Sequence, residues 1–106
     1  MSDTNLLYMP AAKAAALIRA KKLSPVEYLD AVLKATDRAN PQLNCFRVVM
    51  HDDARRDAKA VEAAVMRGDT LGPLHGVPVT IKDLAWTKDM PTQNGSLTSK
   101  GFQPSE

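Results

Sequence analysis

The 106-residue chain has one cysteine, Cys45, so no disulfide framework can brace it. Aromatic residues are scarce, with two Phe, two Tyr and one Trp, so whatever core forms is aliphatic. No charge of one sign dominates: 14 basic against 12 acidic side chains leave a net charge of +2, and no basic run is longer than the pair Lys21–Lys22. Binding nucleic acid through bulk charge is therefore not expected. No apolar stretch approaches the roughly 20 residues a membrane span requires, and the N-terminus lacks the basic start and long apolar stretch of a secretory signal. These absences predict a reducing, cytoplasmic setting with neither membrane nor nucleic acid as a direct partner. They also bound the size: a chain this short makes at most one domain with a modest core.

What is present begins with helices. "PAAKAAALIRAKK", Pro10 to Lys22, is rich in strong helix formers, with Ala14, Leu17 and Ile18 at helical spacing. "LSPVEYLDAVLKATDRAN" opens with Ser24 as N-cap, Pro25 at the first helical position and Glu27 three residues after the cap. Val26, Leu29, Val32, Leu33 and Thr36 share one face of this second helix. Asn40 before Pro41 is its expected stop, because a residue preceding proline is pushed out of the α region. A third helix is expected from Asp52 or Asp53 to Arg67, with Ala54, Ala58, Val61 and Val65 on one face and Gly68 as terminator. Its other face, with Arg55, Arg56, Asp57, Lys59 and Glu62, reads as an ordinary solvated surface.

Two short segments read as strands. "FRVVM", Phe46 to Met50, is β-branched and apolar at most positions. In the stretch Val77 to Lys82, Val77, Val79 and Ile81 alternate with Pro78, Thr80 and Lys82, a period of two that sends Lys82 to the face opposite Val79 and Ile81. The expected fold class is therefore α/β, with three helices and two short strands. From Ala85 to Glu106 no period is sustained and Gly, Pro, Ser, Thr and Asn abound. A structureless tail longer than about 15 residues, and a sheet of only two strands, predict an incomplete domain over 1–106.

The densest punctuation lies in "GPLHGVPVTIKDL", Gly72 to Leu84, where Gly72, Pro73, Gly76 and Pro78 fix the backbone ahead of Lys82 and Asp83. Taken alone, Lys82 is most simply a solvated residue at a strand end, although loops after strand ends commonly carry chemistry. His51 reads as the start of the third helix and His75 as a turn residue, and neither has Asp or Cys neighbours at metal-ligand spacing.

These residues resemble the amidase signature family, whose members share a G-x-L-x-G-[IV]-P-[IV]-x-[IV]-K-D stretch. Upstream, "LSPVEYLDAVLKATDRANPQLNCFRVV" is similar to the family's S-x-x-E-L helix, N-P-x-[IL]-N-A-[FY] turn and following strand, with Cys45 where Ala is usual. Downstream, "MPTQNGS" resembles its P-T-T-x-G-S loop, with Gln93 in place of the second Thr. The resemblance runs from about the first helix to the C-terminus. It implies that 1–106 is the N-terminal part of an amidase signature domain, a mixed sheet covered by helices, and that the parent enzyme hydrolyses a small-molecule carboxamide to a carboxylate and ammonia or an amine without a cofactor or metal.

The implied mechanism is Ser-Ser-Lys. A neutral lysine, here Lys82, accepts a proton, a cis-peptide serine relays it, and a second serine attacks the amide carbon. A lysine can do this at neutral pH only where burial or hydrogen bonding disfavours its ammonium form. The family's two serines lie in a Gly/Ser-rich segment several tens of residues downstream, whose N–H groups also stabilise the oxyanion. No such segment occurs in these 106 residues. Ser96 and Ser99 lack its Gly-Gly context. Thr92, Gly95 and Ser96 are instead expected in a loop beside the active site. Two other outcomes stay open: the glutamine-hydrolysing A subunit of an aminoacyl-tRNA amidotransferase (glutamyl-tRNA(Gln) or aspartyl-tRNA(Asn)), or a binding and assembly module without activity. The first more often reads G-K-L-x-G-I-P-I-A-I-K-D-N, so Gly72–Pro73 and Asp83–Leu84 favour a free-standing amidase. The chain alone is expected to be inactive, and to self-associate or to require the C-terminal part of its parent.

Overall fold

The computed structural model describes residues 2–82, and it is helical. Four helices succeed one another: α1 (Asp3–Leu7), α2 (Ala11–Arg19), α3 (Pro25–Leu43) and α4 (His51–Arg67). Among the described residues there is no strand, so the expected α/β class and its mixed sheet are not what forms. No helix among them is long and apolar enough to cross a membrane. Thr92, Gly95, Ser96 and the rest of the tail lie outside the described residues.

α1 was not anticipated. Ser2 caps it, its Oγ accepting from the Asn5 N–H at 3.3 Å, and the helix buries Leu6 in the core. α2 ends three residues earlier than the helix-former count suggests. The Lys22 N–H reaches back to the Leu17 carbonyl at 2.9 Å and the Lys21 N–H to Ile18 at 3.0 Å, with Lys21 at φ 62°. This is a Schellman closure, in which a left-handed residue turns the chain out of the helix. α4 ends in the same way through Gly68 at φ 77°, with Asp69 N–H to Ala64 O and Gly68 N–H to Val65 O, both 3.1 Å. Glycine takes that conformation without steric cost, whereas lysine does not.

α3 begins as its capping signals dictate, with the Glu27 N–H donating to Ser24 Oγ at 3.3 Å and Pro25 in the first turn. It does not stop at Asn40. Pro41 lies inside the helix, which continues to Leu43 and closes through Asn44 in the left-handed conformation, φ 50° and ψ 40°, with the Asn44 N–H on Asn40 O at 2.7 Å. So near the C-terminus, Pro41 removes a single intrahelical donor, and the following turn tolerates it. Asn40 has a second task. Its Oδ1 accepts from the Phe46 N–H at 2.8 Å while its Nδ2 donates to the Phe46 carbonyl at 3.0 Å.

That pair of bonds explains why Phe46–Met50 is not a strand. A side-chain amide already occupies the Phe46 main-chain groups that a ladder would use, and Met50 is the residue from which α4 starts. Val77–Lys82 fails as a strand for a related reason. Its alternation is of β type, but no neighbouring backbone among the described residues offers a ladder, and an unpaired strand has no independent stability.

The helices bury each other's apolar faces in two clusters. Leu6, Ala14, Ile18, Leu23, Tyr28, Ala31 and Val65 bring all four helices together, with Ile18 fully buried. Leu29 and Leu33 of α3 meet Ala58 of α4 in the second, with Val26, Val49 and Ala54 packed at its edge. Burying a Leu or Ile side chain is worth about 1.5–3 kcal/mol, so these faces hold the helices together. The faces of α3 and α4 are therefore covered by one another.

Candidate active site

The Gly/Pro-rich segment after α4 is folded back onto the helices at its root and free of them at its tip. The root is a pair of tight turns: the His75 N–H donates to Gly72 O at 3.3 Å and the Val77 N–H to Leu74 O at 3.1 Å. Three helices hold it. From α2, Arg19 Nη2 donates to the Gly72 carbonyl at 3.4 Å. From α4, the Val61 carbonyl takes a hydrogen bond from His75 Nε2 at 3.2 Å. Gly76, at φ 87°, sits against Ile18 of α2 and Pro25 of α3 so closely that a Cβ there would lie 2.9 Å from Ile18 Cδ1 and 3.3 Å from Pro25 Cβ. Only glycine meets both demands, the left-handed backbone and the missing side chain.

Past Pro78 the chain leaves this surface. Val79 is 73% and Ile81 53% exposed, and Lys82 is exposed at the end of the described chain. Lys82 therefore stands beyond an anchored turn rather than in a pocket, and the burial that its expected chemistry requires is not supplied by residues 2–82. The companions expected in the neighbouring loop, Thr92, Gly95 and Ser96, fall outside the described residues.

The other polar groups are arranged around the helices. His51 is the first residue of α4, and its Nε2 lies 2.8 Å from Asp37 Oδ1. Cys45 is exposed in the α3–α4 connection. No group of three or more His, Cys, Asp or Glu side chains among the described residues could hold a metal ion. Ser24 does more than its capping motif reveals: while accepting from Glu27, its Oγ donates to Glu62 Oε2 of α4 at 2.5 Å. This link ties the start of α3 to α4 beside an open cleft of about 300 Å³ lined partly by Lys21, Lys22 and Met66. Sequence pattern did not reveal the link, since Glu62 belongs to a face that reads as solvated, and only packing brings it to Ser24. The role of His75 was missed for the same reason.

This anchored turn lies within the stretch of the chain that matches a known family. The amidase family model matches residues 27–106, which takes in α3 from Glu27 onward, α4, the turn and Lys82. The chain belongs to the amidase family. Its similarity to individual amidase-family proteins extends over most of its length. It is 38% identical over 92 residues to the putative amidase AmiD of Mycobacterium tuberculosis, covering 87% of this chain and 19% of that protein. It is 41% identical over 104 residues to the glutamyl-tRNA(Gln) amidotransferase A subunit of Mesorhizobium japonicum, covering 98% of this chain and 19% of the relative. An acylamidase of Rhodococcus erythropolis is 37% identical over 95 residues, covering 90% and 20%. The chain thus spans about a fifth of the length of the curated relatives it matches. No solved structure matches it significantly.

Proposed function

We propose that these 106 residues are the N-terminal part of an amidase that hydrolyses a carboxamide to a carboxylate and ammonia or an amine, with Lys82 as the proton acceptor of a Ser-Ser-Lys mechanism. The observation that carries the proposal is the turn that matches the family at G-P-L-H-G-V-P-V-T-I-K-D: three helices fix its root, and Lys82 follows within six residues of Gly76. Two serines and the oxyanion donors come from the remainder of the parent protein, which also desolvates the lysine so that it can take the serine proton. The substrate is a small molecule and no cofactor takes part. A cytoplasmic setting is consistent with an exposed, unpaired Cys45.

The 106-residue chain alone is then inactive, since a general base without nucleophile and oxyanion donors has nothing to activate. Ammonia release from small aliphatic and aromatic amides tests this: the parent enzyme turns them over and the isolated chain stays at background. Release by the isolated chain that disappears in Ser96→Ala would overturn the assignment of the serines. A second reading, glutamine hydrolysis as the A subunit of an amidotransferase, draws support from the 41% identity to such a protein. Activity of the parent on glutamine and on no simple amide would favour it.

A further inference from the structure

We propose that His75 is a positioning residue for Lys82, acting through its hydrogen bond to the Val61 carbonyl. The proposal rests on the reading of Lys82 as the proton acceptor. Of the three anchors at the root of the segment, the Arg19 bond is long at 3.4 Å and solvent-exposed, so it constrains little. The contact of Gly76 with Ile18 and Pro25 fixes how close the turn comes to the helices, but an apolar contact is not directional. The bond from His75 Nε2 to Val61 O is partly buried, spans 3.2 Å and has a defined axis, so it sets the rotation of the turn about that contact.

Val61 lies in the interior of α4, and its carbonyl has two lone pairs, one for the helical ladder and one for the imidazole. Rotation at the root matters because it sets the direction in which the segment departs toward Lys82, six positions past Gly76 and at most about 22 Å away. A small angular error at the turn becomes a displacement of an ångström or more at the lysine, and a misplacement of about 1 Å in a catalytic group can cost roughly 10²-fold in rate.

The chemistry of the bond makes it separable from other histidine roles. The imidazole donates from Nε2 whether the ring is the Nε2–H tautomer or the imidazolium, so the anchor does not depend on protonation. A neutral donor of similar reach can therefore replace it, and an apolar side chain of similar bulk cannot.

The test uses the full-length parent enzyme with His75→Leu, His75→Gln and Lys82→Ala, measuring kcat, KM, the pH profile of kcat and the thermal midpoint. His75→Leu is expected to lower kcat about 10- to 100-fold with KM changed less than about threefold while the enzyme remains folded at the assay temperature. His75→Gln is expected to restore most of kcat with the pH profile of the wild type. The proposal is overturned if His75→Leu keeps wild-type kcat, or if its loss only tracks the unfolded fraction and vanishes on cooling. It is equally overturned if His75→Gln is as impaired as His75→Leu, because the donor would then not be the means. Full activity in Lys82→Ala is a different result: it removes the catalytic reading on which this inference stands.

Discussion

Gly76→Ala should be the most damaging glycine-to-alanine change among the described residues, and comparison with Gly68→Ala separates how much of the damage is packing. Both glycines have positive φ, 87° and 77°, so each alanine takes on a left-handed backbone costing about 1–2 kcal/mol. Alanine also restricts the unfolded chain, which offsets about 0.4–1 kcal/mol at both sites. At Gly68 nothing lies within 4 Å of the new methyl, so the cost stops there. At Gly76 the methyl meets Ile18 Cδ1 at 2.9 Å, Ile18 Cγ2 at 3.3 Å and Pro25 Cβ at 3.3 Å. Ile18 is fully buried and cannot swing away, and the proline ring is rigid, so overpacking adds about 1–3 kcal/mol. Each further 1 kcal/mol lowers the thermal midpoint of a domain this size by about 4–8 °C. Thermal unfolding followed by circular dichroism should therefore place Gly76→Ala well below Gly68→Ala. Ile18→Val removes the nearest atom, and in that background Gly76→Ala should cost at least about 0.5 kcal/mol less. Equal midpoints for the two alanine variants, or strict additivity with Ile18→Val, would refute the close approach of the turn to α2.

Ser24→Ala should destabilise by about 1–2 kcal/mol in urea unfolding, since it removes both the cap of α3 and the donor to Glu62; Ser24→Gly, which spares most of the capping loss, should still lose the Glu62 link. Asn40→Ala deletes two bonds to the Phe46 main chain and should cost about 1–2 kcal/mol, with faster amide exchange at Phe46 than in the wild type. The isolated chain should self-associate through Leu74, Val79 and Ile81, which are 54%, 73% and 53% exposed, and Ile81→Lys should shift sedimentation toward monomer. A wild-type chain that is monomeric at high concentration would contradict this.

The helices were legible because their signals are local. Ser24–Pro25–Glu27 fixed the start of α3 and Gly68 the end of α4, each within a turn of the residues it controls. The ends of α2 and α3 were not legible, because a lysine at φ 62° and a proline inside a helix both go against local preference and are held by the bonds around them. The two expected strands rest on β-branched apolar composition at Phe46–Met50 and on alternation at Val77–Lys82, signals that report what a backbone would do beside a partner. Among residues 2–82 no partner arrives: Phe46 is claimed by Asn40, and Val79 and Ile81 remain exposed. Of the candidate site, the motif and Lys82 came from pattern. The bonds from His75 to Val61 and from Ser24 to Glu62 span 14 and 38 residues and required the packed structure. The family match spans residues 27–106, and the candidacy of Lys82 rests on its position in the motif that follows a turn fastened to the helices.

Lys82 is proposed to carry the chemistry, and Lys100, 18 positions later in the sequence, is not. The direct measurement is kcat for amide hydrolysis by the full-length parent enzyme with Lys82→Ala and Lys100→Ala, each shown to be folded by circular dichroism. Loss of a positioned general base should lower kcat by about 10²-fold or more in Lys82→Ala, while Lys100→Ala stays within about twofold of the wild type. Comparable activity in the two variants would contradict the Ser-Ser-Lys account.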